Sequence, residues 1–225
     1  MTHVHINWRL ASRLSVITMA VLVVLIITLV QLQHGSGGIS RADSSSQSQN
    51  SSNASNANDA SSSQVDLGGT IAPNFTLTDQ NGQRISLNQF KGKPVVLTFL
   101  YTHCPDVCPL TAEHIHTTML QLGSQAKDVA VLAVSMDPIG DTPAAVQSFS
   151  KAHSMTNYWH YLIGSQQQLS PVWSSYDIYQ QASKQSINHS MAIFVIDQQG
   201  KERTYFDNTF TPTQLTANLH KLLSA

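Results

Sequence analysis

The chain has 225 residues, a formal net charge of −1 and only 11% charged residues. It has no run of basic side chains in its globular part, so electrostatic attraction to nucleic acid is excluded as the basis of its function. At this length one or two domains are possible. The composition separates the N-terminal quarter from the remainder of the chain.

An apolar stretch lies near the N-terminus. Residues 14–32 carry no formal charge, and as a helix they would be about 28 Å long, close to the hydrocarbon thickness of a bilayer. We therefore predict a single transmembrane helix, with residues 1–13 in the cytoplasm because Arg9 and Arg13 precede it. A cleaved signal peptide is the alternative, but the residues after the stretch offer no small-residue cleavage site. The short leader excludes a mitochondrial transit peptide and favours a bacterial cell membrane, with the globular domain on the extracytoplasmic side.

The next segment, residues 33–66, consists mainly of Ser, Asn, Gln, Gly, Ala and Asp. Such a segment cannot bury enough apolar surface to offset its ordering entropy, so we predict a disordered linker. As a flexible coil it would span about 30 Å. Residues 67–225 are then long enough to form one globular domain with its own core.

Apolar patterns and turn signals predict the elements of this domain. A hairpin is expected around Asn81-Gly82, and helix starts are expected at Pro109, Pro143, Ser165 and Pro212. Apolar runs predict strands at residues 95–100, 129–135, 158–163, 191–196 and 202–206. Because strands alternate with helices, the fold class is α/β. The element order suits a thioredoxin-like fold with an N-terminal β-hairpin extension.

The two cysteines, Cys104 and Cys108, lie four positions apart between a predicted strand and a predicted helix. Three chemistries are open at this spacing: a structural disulfide, a dithiol–disulfide redox pair, or a site for a soft metal ion. A disulfide across so short a loop would remove little unfolded-state entropy. The nearby helix N-terminus predicts a lowered pKa for both thiols, which favours the thiolate that attacks disulfides and binds metals.

A metal site here requires a third ligand, and histidine is the candidate. Cu(I) prefers thiolates, and two thiolates with one imidazole form a trigonal copper site. His189 precedes the predicted strand 191–196, where a thioredoxin-like fold brings a loop opposite the cysteine turn. We expect His103 to point away from the site and His114 and His116 to lie along the exposed side of their helix, and we expect all three to be solvated side chains.

Three motifs of the globular part resemble the Sco/SenC family over nearly all of residues 67–223. They are Thr102-x-Cys104-Pro105-Asp106-Val107-Cys108-Pro109, Ser135-x-Asp137-Pro138-x-x-Asp141-Thr142-Pro143, and His189-Ser190 followed by Ile196-Asp197 and Gly200. The resemblance implies a membrane-anchored copper protein that helps assemble the binuclear copper centre of cytochrome c oxidase. It implies Cys104, Cys108 and His189 as ligands of the copper ion. The implied partners are the copper-bearing subunit of the oxidase and a thiol–disulfide reductant.

Two positions depart from the family pattern, and one alternative function is retained. Asn188 stands where members commonly have Asp, which removes a charge that would orient the imidazole. Met136 replaces the more usual Val. The alternative function is a thiol–disulfide oxidoreductase that uses the two cysteines as its redox pair. Copper is favoured because no proline lies between Pro171 and Pro212, where thioredoxin-like reductants carry their cis-proline.

Overall fold

The computed structural model describes residues 21–22, 24–28, 64–182, 187–189 and 191–225, and for residues 181–182 and 187–189 it describes the backbone. The chain divides into two units, Met1–Ser55 and Asn56–Ala225. Most of the predicted membrane span and of the predicted linker lies outside the described residues. The described residues of the span are helical and exposed. No helix in the described ranges is long and apolar enough to cross a membrane.

A mixed sheet organises the described part of the second unit. Eight strands form it, in the order β1-β10-β9-β4-β5-β6-β2-β3, and β7 pairs with β8 in a separate hairpin. Strands β4, β5 and β6 are parallel neighbours, whereas the other pairs are antiparallel. The strands are β1 Gln64–Ile71, β2 Thr76–Asp79, β3 Arg84–Ser86, β4 Val95–Leu100, β5 Ala130–Ser135, β6 His160–Ile163, β7 Gln180–Ala182, β8 Ile187–His189, β9 Ile193–Ile196 and β10 Lys201–Phe206.

Helices alternate with the central strands, as the sequence predicted. They are α1 Val107–Leu122, α2 Pro143–Ala152, α3 Gln166–Ser175 and α4 Pro212–Leu223, with single 3-10 segments at Leu87–Phe90 and Gly123–Asp128. All residues of β4 and β5 are buried, as expected for parallel strands covered on both faces. The Trp173 and Tyr176 side chains are buried in the core. The α/β class is therefore confirmed.

The two N-terminal hairpin strands were predicted, but strand β1 was not. The turn between β2 and β3 has Gly82 at φ 80°, the left-handed region that favours glycine. Strand β1 pairs with β10 and contains an irregularity between Asp66 and Thr70, where the sequence is polar and glycine-rich. It begins at Gln64, three residues before the predicted start of the domain. Its register depends on a partner about 135 residues away, which local patterning does not reveal.

Helix α4 begins with a reciprocal cap that offers a test of the fold. The Thr211 hydroxyl accepts a hydrogen bond from the Gln214 backbone N–H at 3.3 Å, and the Gln214 side chain accepts one from the Thr211 N–H at 2.9 Å. We predict that Thr211→Ala lowers the free energy of unfolding by about 1 kcal/mol, measured by urea denaturation. Thr213→Ala, at an exposed position in the first turn, is the matched control. Equal stability of the two variants would contradict the capping role.

Candidate metal centre

The cysteine turn connects strand β4 to helix α1 at one edge of the sheet. Strands β4 and β5 are parallel and in register from Val95 opposite Ala130 to Leu100 opposite Ser135, so both end at this edge. The Met136 backbone N–H donates to the Leu100 carbonyl at 2.8 Å and holds the two ends together. Loops at the carboxyl ends of parallel strands are common ligand-binding positions.

Backbone hydrogen bonds hold Cys104 against the start of helix α1. The Cys104 N–H donates to the Tyr101 carbonyl at 3.3 Å, and the Cys108 N–H donates to the Cys104 Sγ at 3.4 Å. Cys104 is 8% exposed and Cys108 is fully buried, and both are free thiols. Both cysteines therefore lie buried at the start of the helix, and Cys104 is the slightly more exposed of the two.

Helix α1 begins at Val107, two residues earlier than predicted. Pro109 is consequently its third residue, and Cys108 its second. The prediction placed Pro109 first because a proline further inside would remove a backbone hydrogen bond. The first four N–H groups of a helix have no intrahelical acceptor, so a proline at the third position removes no such bond.

The two thiols differ in acidity. A hydrogen bond from the Cys108 thiol holds the pKa of Cys104 at about 5, and the N–H groups of Asp106 and Cys108 act in the same direction against the effect of burial. The same hydrogen bond, together with burial and the nearby charge of Asp141, raises the pKa of Cys108. The expectation of a lowered pKa is confirmed for Cys104 and wrong for Cys108. Proximity to a helix N-terminus does not offset complete burial beside another ionised sulfur.

The backbone of His189 is connected to the same edge of the sheet. In the hairpin of β7 and β8, His189 pairs with Gln180, and the Gln180 side chain donates to the Met136 carbonyl at 3.3 Å. Met136 is the residue that binds the end of β4, as described above. The imidazole of His189 lies outside the described residues, so its distance from the sulfurs remains a prediction.

Strand β9 approaches the cysteine turn from the opposite direction. It runs antiparallel to β4, with Ile193 opposite Thr98, and the Thr98 hydroxyl donates to the Ala192 carbonyl at 3.2 Å. The segment just before β9 therefore lies where β4 leads into the cysteine turn. Because antiparallel neighbours reverse direction, the chain that follows His189 enters the sheet at the edge that carries the thiols.

The other three candidate histidines have different surroundings. His103 is exposed, and its Nδ1 lies 3.2 Å from the Thr102 hydroxyl. His114 and His116 are half-buried: His114 Nδ1 lies 3.1 Å from the Phe210 carbonyl oxygen, and His116 packs edge-on against Tyr158. The expectation that His114 and His116 are solvated was therefore wrong. The residues around the start of helix α4 and the segment after α2 contact the face of α1 that the sequence pattern predicted to be exposed.

A buried carboxylate beside the cysteine turn was not recognised as part of the site. Asp141 is 5% exposed and accepts hydrogen bonds from the Thr102 N–H, the Thr102 hydroxyl, the Ser135 hydroxyl and the Tyr161 hydroxyl, at 2.8, 2.8, 2.6 and 3.1 Å. Burial raises its pKa, while these four hydrogen bonds act in the opposite direction. The motif that contains Asp141 was noted in the sequence, but the spacing did not reveal its partners.

Two cavities lie away from the thiols. One of about 510 Å³ is lined by residues that include Phe90, Lys93 and Tyr158. The other, of about 550 Å³, is lined by residues that include Asp197 and Arg203. Neither is lined by a cysteine. The thiols thus lie outside both cavities, in the turn between β4 and α1.

The cysteine pair lies in the turn between a central strand and a helix, and the pKa values of its two thiols are shifted in opposite directions. The protein is therefore of the class of α/β proteins with a dithiol site in a strand-to-helix turn. Residues 64–224 match the SCO1/SenC family model. The chain belongs to the SCO1/SenC family.

The fold is similar to the solved structures of Sco proteins. The structure of Bradyrhizobium japonicum ScoI with copper bound is 32% identical, covers 68% of this chain and 99% of that chain, and superposes with a TM-score of 0.62. BsSco, a member of the Sco family of cytochrome c oxidase assembly proteins in which a disulfide switch was identified, is 21% identical, covers 71% of this chain and 96% of that chain, and has a TM-score of 0.61. The predicted thioredoxin-like fold is confirmed as the Sco form of that fold, with a mixed sheet.

A curated relative is similar over the same region. The mitochondrial protein SCO2 homolog of Bos taurus is 28% identical over 160 residues, which are 68% of this chain and 59% of the relative. This chain therefore spans about three-fifths of that protein's length.

Proposed function

We propose that this protein binds copper and delivers it to the binuclear copper centre of cytochrome c oxidase. The observation that carries the proposal is the pair of free thiols in one turn, of which Cys104 has a pKa of about 5. Thiolates are the ligands that Cu(I) prefers. Family membership supports the same cargo, because the related ScoI is known with copper bound.

The proposed ligands are the Cys104 and Cys108 sulfurs and the His189 imidazole. The hydrogen bond from the Cys108 N–H to the Cys104 Sγ favours an ionised first thiolate. Copper binding displaces the proton of Cys108, since only the thiolate binds the metal. An imidazole from the segment before β9 would complete a trigonal set of two sulfurs and one nitrogen. Asn188 would place an amide and no carboxylate at the position directly before this histidine.

The ligand set is tested by copper binding to the reduced full-length protein under anaerobic conditions. We expect one tightly bound Cu(I) per wild-type chain, and an affinity at least about 10-fold weaker in His189→Ala, as for loss of a group that supports a metal site. His220→Ala, at an exposed position in α4, is the control and should bind like wild type. Equal binding by His189→Ala and wild type would exclude His189 as a ligand.

A thiol–disulfide oxidoreductase is the second candidate function. The asymmetry of the thiols favours it, because a thiol of lowered pKa can attack and a neighbouring thiol of raised pKa can resolve. The Cys104 thiolate would attack a partner disulfide to form a mixed disulfide, and Cys108 would then displace the partner's second thiol. The partner gains two electrons and this protein becomes the Cys104–Cys108 disulfide. Copper-independent reduction of a disulfide substrate would favour this function over copper delivery.

Both functions share one redox requirement. A Cys104–Cys108 disulfide has no thiolate to offer to copper, so the oxidised protein is expected to bind none. An external thiol–disulfide reductant is therefore a proposed partner, alongside the copper-bearing subunit of the oxidase. BsSco, with its identified disulfide switch, is similar in fold.

We also propose that the uncharged residues 14–32 anchor the protein in a bacterial cell membrane, with residues 1–13 in the cytoplasm. Residues 33–63 would then act as a tether for the globular domain on the extracytoplasmic side. This arrangement would bring the thiols within reach of a recipient in the same membrane.

A further inference from the structure

The motif from Ser135 to Pro143 contains none of the proposed copper ligands, yet it contacts the start of the cysteine turn through Thr102. Two of its carboxylates, Asp137 and Asp141, and His103 of the cysteine turn have potential metal-ligand atoms within 4.8 Å of one another. A carboxylate has about four lone-pair positions, and the four hydrogen bonds to Asp141 already use that number. We therefore interpret Asp141 as an anchor for protein groups and not as a donor for a second metal.

The hydrogen-bond partners of Asp141 lie in the cysteine turn and in the parallel strands β5 and β6. Ser135 is the last residue of β5 and Tyr161 lies within β6, while Thr102 lies two residues before Cys104. One oxygen, Oδ1, takes both the N–H and the hydroxyl of Thr102, and the other takes the two hydroxyls from β5 and β6. The carboxylate thus joins the start of the cysteine turn to the end of β5 and to Tyr161 of β6.

The position of the first sulfur depends on that connection. The turn runs from Tyr101, whose carbonyl accepts the Cys104 N–H at 3.3 Å, to Cys108, whose N–H donates to the Cys104 Sγ at 3.4 Å. The first of these hydrogen bonds is long for an N–H···O bond, so it restrains the start of the turn weakly. The second has an ordinary length for a sulfur acceptor, but it ties Cys104 only to helix α1. The two bonds of 2.8 Å from Thr102 to Asp141 are the shorter restraints.

We propose that Asp141 is a positioning residue for the copper site: its buried carboxylate fixes the cysteine turn to strands β5 and β6 and so sets the place of the Cys104 sulfur. The inference rests on the proposed copper function. Partners that orient a metal ligand affect metal affinity without touching the metal. Asp141 acts here through Thr102 and the turn.

Two substitutions separate geometry from charge. Asp141→Ala removes every acceptor, so Cu(I) affinity of the reduced full-length protein, measured by competition with a chromogenic chelator, should fall about 10- to 100-fold. Asp141→Asn keeps an amide oxygen for Thr102, and its NH₂ group can donate to the Ser135 and Tyr161 hydroxyls, which rotate to accept. This variant should bind Cu(I) nearly as wild type does, although it carries no charge.

The matched control is another buried carboxylate. Asp79 is 1% exposed and accepts N–H groups of Asn81 and Gln83 in the β2–β3 turn, so Asp79→Ala should lower stability without changing Cu(I) affinity. Wild-type Cu(I) affinity in Asp141→Ala, with only stability reduced, would overturn the proposal. Equal losses in Asp141→Ala and Asp141→Asn would overturn it too, because charge and not position would then be the cause.

A second variant and a copper-free measurement complete the test. If Asp141→Ala does not fold, Thr102→Val removes the hydroxyl bond to Asp141 and the hydroxyl contact with His103 Nδ1 but keeps the backbone N–H bond to Asp141, and it should reduce Cu(I) affinity in the same direction; unchanged affinity would count against the anchor. Alkylation of Cys104 at pH 6 needs no copper and should be slower in Asp141→Ala than in wild type. If wild type binds no Cu(I), the proposed function fails, while the alkylation rate still decides whether Asp141 positions Cys104.

Discussion

Replacing Cys108 by serine is expected to weaken Cu(I) binding by more than about 100-fold. Loss of a residue that only supports a metal ligand already lowers metal affinity about 10- to 100-fold, and Cys108 is a proposed ligand itself. Serine is nearly isosteric, and its hydroxyl can still donate a hydrogen bond to the Cys104 sulfur. Its oxygen is a hard donor that stays protonated, so the copper ion loses one of two soft ligands. The substitution therefore removes the ligand while keeping the neighbouring thiolate supported.

The measurement is competition for Cu(I) with a chromogenic chelator, on reduced full-length protein without oxygen. Cys104→Ser should lose affinity to a similar extent, because both sulfurs are proposed ligands. Thr118→Ser is the matched control, since Thr118 is a fully buried residue of the same helix α1 and the substitution keeps its hydroxyl. If the Cu(I) affinity of Cys108→Ser lay within tenfold of the wild-type affinity, Cys108 would be excluded as a ligand. A tenfold difference in affinity corresponds to a binding free energy of about 1.4 kcal/mol.

Local pattern predicted most of the fold because its central elements carry local signals. The run from Val95 to Leu100 is apolar at nearly every position, and all of it is buried. Proline and threonine mark the starts of α2 and α4, where Thr142 and Thr211 cap the helices. Strand β1 carries no comparable signal, since its pairing with β10 is a long-range contact and its centre contains two glycines.

The candidate site divides in the same way. Cys104, Cys108 and their place in a strand-to-helix turn follow from spacing and neighbouring pattern, and the structure contains that turn. The opposite acidities of the two thiols depend on burial and on which sulfur lies beneath the other. Those properties arise only when β4, α1 and the loop of Asp141 pack together. Sequence spacing therefore identifies the two thiols but does not predict which of them is the more acidic.

The role of Asp141 illustrates why anchors are harder to predict than ligands. Its hydrogen-bond partners lie 39, 6 and 20 positions away along the chain, and none has a residue type that suggests metal chemistry. Threonine, serine and tyrosine hydroxyls are common on any surface. Only the parallel register of β4, β5 and β6 brings the cysteine turn, the end of β5 and Tyr161 of β6 to a single carboxylate.

Alkylation is expected to distinguish the two thiols of the reduced, copper-free protein. With a pKa of about 5, Cys104 is mostly thiolate at pH 6, whereas the raised pKa and full burial of Cys108 keep it protonated and shielded. A thiolate of low pKa is a weaker nucleophile, which offsets part of the advantage. Iodoacetamide should nevertheless modify Cys104 at least about 10-fold faster than Cys108, judged from thiolate fractions and nucleophilicity together.

The pH dependence gives the sharper form of this prediction. Because the pKa of Cys104 is lowered in the folded state, its alkylation rate should rise as pH increases through about 5 and be nearly constant above pH 7. An unperturbed thiol would instead gain reactivity around its ordinary pKa of about 8.5. Peptide mapping by mass spectrometry assigns each adduct, and Cys104→Ser should react slowly throughout, since Cys108 remains buried. A midpoint near pH 8.5, or equal labelling of both cysteines, would mean that Cys104 is not the thiolate on which copper binding or disulfide attack begins.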